Sequence, residues 1–226
     1  MNTLNTYGSI IKGLREQRKL SQVTVAKKIG ISRASYITIE QGKRELSFSE
    51  AKKLCAFLGI TLRELEVGQA QNYEKYKQML LAFLRLSNKI PKTKLAKLLY
   101  FADFGWFYYH LQSMSGMQYR KIQYGPVPDS YFRIIDELFD DGKIDIDQTE
   151  DGAMLISETR RGAKVALSEI NAAEKKLIKS IADKWKGKNT KEIVAFTHNQ
   201  LPYLCADDND IVSYNVVTQE NPDEVY

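Results

Sequence analysis

The chain has 226 residues, 43% of them hydrophobic and 27% charged, with a formal net charge of +5. That length fits two modest domains better than one, and the composition is that of an ordinary globular protein rather than a disordered chain. The charge is uneven: Met1–Gly68 carries 12 Lys+Arg against 6 Asp+Glu, and the other 158 residues carry 21 against 22. A polyanionic partner is therefore expected for the first part and not for the rest.

In chain order, Ile11 and Leu14 give a first helix its apolar edge, with Arg15, Arg18 and Lys19 outside. Ser21 can cap a second helix over Gln22–Ile29, with Val23, Ala26 and Ile29 inward. Gly30 can take the left-handed conformation that ends it, and Ile31 can plug the core beneath the turn. Ser32 can cap a third helix over Arg33–Gln41, with Tyr36 and Ile39 inward and Ile37 as a further candidate. Arg33, Ala34, Ser35 and Thr38 then face outward near its start. A recognition helix enters the major groove N-terminus first, so these side chains would reach base edges. Gln22 would meet a phosphate, and Lys43 and Arg44, after Gly42, would grip the backbone on the other side. The candidate DNA contacts are Gln22, Ser32, Arg33, Ala34, Ser35, Thr38, Lys43 and Arg44. A fourth helix starts after Ser47 or Ser49 and ends at Gly59. Thr61 with Glu64 reads as a capping box for a short fifth helix ending near Leu65.

The stretches LREQRKLSQ, AKKIGIS, IEQGKR and LCAFLGITLREL resemble the phage-repressor (Xre/Cro-like) helix-turn-helix family over roughly the first 66 residues. The resemblance implies that Gln22 is a backbone-clamping glutamine and that Arg33, Ala34 and Thr38 stand at base-reading positions. It also implies that Glu40 braces the fold more than it touches DNA. One such module reads only a short half-site, so a homodimer on palindromic, double-stranded operator DNA is expected, with the two copies about 34 Å apart.

The expected domains are residues 1–66, a polar linker over 67–72, and residues 73–226. In the second domain Tyr73–Leu86 reads as a helix with Tyr73, Tyr76, Leu80 and Phe83 on one face. Thr93 can cap the next helix, Lys94–His110. Its stripe Leu95, Leu98, Leu99, Ala102, Trp106, Tyr109 and its second stripe Phe101, Phe104, Tyr108 make it apolar nearly all round. Such a helix is either the centre of a core or partly covered by a partner. Gly116–Gln123 alternates like a strand, and Tyr124-Gly-Pro-Val-Pro128 is a sharp turn. Tyr131, Ile134, Ile135, Leu138 and Phe139 mark an amphipathic helix closed by Gly142. Ile144–Ile146 and Met154–Ile156 suggest a hairpin. Asn171 with Glu174 opens a helix to about Trp185, Thr190–His198 is one more, and Ile211–Val217 reads as extended. The fold class is mainly α: a five-helix helix-turn-helix bundle, then a mostly helical α+β domain with a small sheet.

KLAKLLYFADFGWFYY (Lys94–Tyr109), YGPVPDSYF (Tyr124–Phe132), Thr197-His198 and Ile211–Tyr214 resemble the Panacea, or SocA-like antitoxin, domain over roughly Tyr73–Val217. The chain departs from that pattern at Thr197, where serine is frequent, and in Leu201–Leu204, where a tryptophan is. The resemblance implies an antitoxin that binds and neutralises a cognate protein toxin, by direct blocking or by delivery to a protease. Joined to a repressor-like module, it implies autoregulation of its own operon. Interface cores favour aromatic anchors, so Phe104, Phe107, Tyr108, Tyr119, Tyr124 and Tyr131 are the candidate partner contacts; each is also a candidate for the core. A plain, prophage-type regulator whose second half dimerises or senses a ligand, with no toxin, fits the same residues.

No catalysis is expected. His110 and His198 are the two histidines, no HExxH or glycine-rich phosphate loop occurs, and Cys55, His110, His198 and Cys205 match no zinc spacing. No metal or cofactor is expected either. Leu98–Leu111 is interrupted by Asp103 and His110, Met1–Tyr7 is polar, and the two cysteines lie far apart. A cytoplasmic protein with free thiols and no membrane span is expected.

Overall fold

The computed structural model describes residues 4–60, 62, 65, 71–150 and 152–226. The chain divides into two compact units, Met1–Ala70 and Gln71–Tyr226. The fold is mainly helical with a small antiparallel sheet.

In the first unit the helices are α1 (Leu4–Gln17), α2 (Gln22–Ile29), α3 (Arg33–Glu40) and α4 (Phe48–Leu58). Their ends follow from local chemistry. Ser21 accepts from the Thr24 amide, Ser32 from Ser35 and Ser47 from Glu50, and Glu50 returns the bond to Ser47. Gly30 (φ 81) and Gly59 (φ 63) close α2 and α4 in the left-handed region. The core gathers Ile11, Leu14, Val25, Ala26, Ile29, Tyr36, Ile39, Leu54 and Leu58, with Ile31 packed against it. Val23 is exposed, against expectation, because two residues of helix turn it about 200° from the buried Val25. Leu62 and Leu65 are helical and Leu65 is buried. The Thr61–Glu64 box and residues 67–70 of the expected linker lie outside the described residues.

One close approach was not read from the sequence. A Cβ added to Gly8 of α1 would meet the Ile39 carbonyl oxygen at 2.5 Å, that of Glu40 at 2.6 Å and the Gly42 nitrogen at 2.8 Å. Backbone atoms cannot rotate aside, so Gly8→Ala is expected to destabilise this unit by about 1–3 kcal/mol. The measurement is a lowered urea midpoint at unchanged slope.

The second unit comprises α5 (Tyr73–Leu86), β1 (Ile90–Pro91), α6 (Lys92–His110), β2 (Tyr119–Arg120), β3 (Val127–Pro128), α7 (Tyr131–Asp140), β4 (Ile144–Gln148), β5 (Met154–Glu158), α8 (Ala172–Lys184), α9 (Thr190–Asn199) and α10 (Leu201–Leu204). Short 3-10 turns follow at Tyr214–Gln219 and Pro222–Glu224. The antiparallel sheet runs β1-β5-β4, and β2 pairs with β3. Helix α6 is central, packed by α5, α8, α9 and the Tyr214–Gln219 turn. Leu95 to Gly105 is buried without a break, which is why its sequence is apolar on every side.

Several expectations change. The helix begins at Lys92 behind Pro91, not behind Thr93, since proline fits the helix entrance. The Gly116–Gln123 strand shrinks to two residues: Gly116 is left-handed, and the Lys121 amide turns away to the Asp210 carbonyl. The expected extended run Ile211–Val217 keeps only an Ile211–Arg120 bridge before coiling. Tyr73 and Phe139 are exposed rather than inward. No described helix is long and apolar enough to cross a membrane.

Candidate functional site

The outward start of α3 is set by what holds its inner side. Tyr36 and Ile39 sink into the core, which leaves Ser32, Arg33 and Ala34 exposed and Ser35 and Thr38 half-exposed. The Ser32 and Thr38 hydroxyls are already engaged, the first with Ser35 and the second on the Ser35 carbonyl. Beneath them lies a buried polar brace. Arg15 Nε donates to Glu40 Oε1 at 2.6 Å, its Nη2 to Oε2 at 3.3 Å and its Nη1 to the Leu20 carbonyl at 3.0 Å. Gln22 Nε2 donates to Glu40 Oε2 at 3.0 Å. Burial works against the Glu40 charge, but the bonds from Arg15 and Gln22 outweigh it and hold the carboxyl below its usual value. Gln22 Oε1 in turn accepts from Arg33 Nη2 at 3.4 Å, so the brace continues to the exposed arginine. Lys43 is exposed after the left-handed Gly42. Arg44 is half-buried and paired with Glu50 at 2.7 Å, so its guanidinium is partly committed to the α4 cap.

In the second unit two ionisable groups of α6 point into the core. Asp103 is fully buried and accepts from the Ser115 amide at 2.6 Å, the Ser115 hydroxyl at 2.5 Å and the Tyr119 hydroxyl at 2.7 Å. Burial still raises its carboxyl to about 6. Lys97 is 1% exposed and donates to the Pro126 carbonyl at 2.8 Å; burial lowers it to about 7. Its stem fills the space beside Gly125, where a Cβ would meet Lys97 Cε at 2.9 Å. His198, stacked on Tyr203 with ring centroids 4.5 Å apart, is lowered first by burial and then by Lys97 and Lys121.

These two units match different protein families. The model of the helix-turn-helix family matches residues 11–65, and that of the antitoxin SocA-like Panacea domain matches residues 95–202. Control protein C.MunI of Mycoplasma sp is 43% identical over 60 residues, 26% of this chain and 81% of that protein. The chain is a helix-turn-helix domain fused to a SocA-like Panacea domain. The cryptic phage CTXphi transcriptional repressor RstR of Vibrio cholerae is 30% identical to the helix-turn-helix end over 69 residues, 30% of this chain and 62% of that protein. The restriction-modification controller protein C.AhdI from Aeromonas hydrophila is 35% identical over 27% of this chain and 94% of its own, with a TM-score of 0.27. By the family model and the two sequence relatives, the helix-turn-helix domain is a DNA-binding module of transcription regulators.

Within the Panacea domain the candidate partner contacts separate by burial. Phe104, Phe107, Tyr119 and Tyr131 are core residues. Phe104 lies 4.3 Å from the Tyr214 ring, Phe107 lies 5.3 Å from it, and the Tyr131 hydroxyl donates to the Lys92 carbonyl at 2.7 Å. They shape the domain in this conformation and leave nothing for a partner to cover. Tyr108 is half-buried, and Tyr124 is exposed on the Gly-Pro-Val turn. Sequence reasoning passed over Lys97 and Asp103. The available signal was two charges inside a helix apolar on all sides, which forces them inward.

Proposed function

We propose that the chain is a DNA-binding antitoxin that represses its own operon and holds a cognate protein toxin inactive, working by binding rather than by turnover. One observation carries this reading: an exposed recognition-helix edge, backed by a buried brace, occurs in the same chain as a SocA-like Panacea domain. The relatives of the first domain, a control protein and a repressor by name, support the regulatory half. The domain of the second half supports the neutralising one. Dimerisation belongs to the proposal, because a single module reads too few base pairs for a specific operator.

Co-expression with the protein of the adjacent reading frame tests the toxin half. A stoichiometric complex and restored growth are expected, and a neighbour left unbound and fully toxic would leave only a regulator. The DNA half predicts a division of labour. Arg33→Ala should weaken operator binding by about 1–3 kcal/mol and relax preference at one base pair. Lys43→Ala should weaken binding to every sequence and reduce the salt dependence by about one unit of slope. Gel shifts on operator and random duplexes across a salt series distinguish the two; equal effects of both changes on both duplexes would refute the assignment.

A further inference from the structure

The exposed apolar residues of the Panacea domain include two on one small lobe, where the Tyr119–Val127 turn meets the segment Leu201–Val212. The two segments are stitched together along their backbones. The Lys121 amide donates to the Asp210 carbonyl at 2.8 Å, Asn209 to Lys121 at 3.0 Å and Val212 to Tyr119 at 2.8 Å. Side chains add to this. The Tyr203 hydroxyl donates to the Ile122 carbonyl at 3.2 Å, Lys121 Nζ to the Ala206 carbonyl at 2.9 Å and Lys97 to Pro126 from below. Gly125, at φ 87, donates to the same Ile122 carbonyl at 2.8 Å. A turn bonded at this many points is fixed in shape, yet its Tyr124 is 61% exposed and Leu204 of the apposed segment 59%. A rigid lobe that offers an aromatic and an aliphatic side chain to solvent has little conformational freedom to lose on binding. Large exposed anchors of this kind are what interface cores select.

The rim gives the sign of the partner. Asp129, Asp207, Asp208 and Asp210 are all exposed on this lobe, against Arg120 and Lys121. Arg120 is held by Asp129 at 2.7 Å, and Lys121 reaches Asp208 at 3.5 Å. Asp207, Asp208 and Asp210 follow one another round a loop turned by the left-handed Asn209 and all three are exposed, Asp208 beside Lys121 and Asp210 in the field of Arg120, so the loop keeps an excess of negative charge.

We infer that this lobe is the toxin-docking surface, with Tyr124 and Leu204 as its apolar anchors, and that it takes a cationic protein face. A toxin that acts on a polyanion such as RNA carries a face of that kind, and covering it would silence the toxin directly. The inference rests on the antitoxin reading and adds to it the place and chemistry of the contact.

The test uses the full chain and the purified product of the adjacent frame, with binding kinetics measured over a salt series. Tyr124→Ala is expected to weaken the complex roughly 30-fold or more, as a hot-spot anchor does. Combined Asp207→Asn, Asp208→Asn and Asp210→Asn is expected to slow association about tenfold at low salt and to flatten its salt dependence. Leu204→Ser provides a second anchor variant at an exposed position. All three proteins should melt like the wild type and shift operator DNA equally well. Capture unchanged in all three overturns the docking site while leaving the antitoxin reading intact. A wild-type chain that captures nothing overturns both. If the triple variant instead alters only self-association or DNA affinity, the lobe faces this chain's own surfaces and the inference is wrong.

Discussion

Glu40→Ala is expected to lower the stability of the helix-turn-helix domain by about 3–5 kcal/mol, the range for breaking a buried ion pair by removing one partner. Arg15 would keep a guanidinium that is almost wholly out of solvent, with the Leu20 carbonyl and the exposed Glu16 carboxylate as its remaining partners. Small domains have total stabilities of only about 5–15 kcal/mol, so much of this unit would be unfolded at 37 °C. Operator binding would fall with it, because the same carboxylate holds Gln22, and Gln22 holds Arg33. The pH behaviour has a definite sign. Glu40 is held below its usual value in the folded state, so its contribution is present above pH 4.5 and is lost as the pH falls. Glu40→Gln should remove that part of the acid dependence. Urea titrations followed by tryptophan-independent circular dichroism give the numbers. A loss under 1 kcal/mol would show that the brace is ornamental. Arg15→Met combined with Glu40→Leu should lose less than either change alone, since no charge is then left stranded.

The second large effect concerns Lys97. Its folded value of about 7 lies far below its ordinary 10.5, with burial as the cause. Between these limits the unfolded chain binds the extra proton, so stability rises with pH through the window from 7 to 10.5. The full penalty, on the order of 4–5 kcal/mol, stands below pH 7 and is relieved toward pH 10.5. Lys97→Met keeps the length and the apolar stem and drops the charge. It also strands the Pro126 carbonyl, which costs about 1–3 kcal/mol. The variant should therefore be more stable than the wild type at pH 6 and less stable near pH 10. Paired denaturation curves at several pH values check this. A stability difference that does not vary with pH would mean the ammonium finds water in the folded state.

The helix-turn-helix half was legible because its signals are local. Ser21, Ser32 and Ser47 as caps, Gly30 and Gly59 as stops, and the spacing of Tyr36 and Ile39 each act within a few residues. What escaped there depends on contacts between distant residues. Gly8 carries no local mark of its packing against Ile39–Gly42, and nothing near Arg15 announces a partner 25 residues away. In the Panacea domain the order of helices and the hairpin could be read, but the fate of each aromatic could not. Phe104 and Tyr124 look equally suited to an interface in sequence, and the fold buries one and presents the other. That choice is made by tertiary packing around α6, which periodicity cannot report for a helix apolar on every side. The outward placement of Ser32, Arg33 and Ala34 could be read from the spacing, yet the commitment of Arg44 to Glu50 appears only once α4 is in place.

The small sheet carries its own safeguard. One margin is β1, two residues long and ending in Pro91, which has no N–H to offer a newcomer. The other is β4, whose Asp145 and Asp147 project to solvent. Neither margin can template a strand from another molecule. On the antitoxin reading proposed above, a chain made in excess of its partner can therefore be abundant without this sheet seeding fibrils.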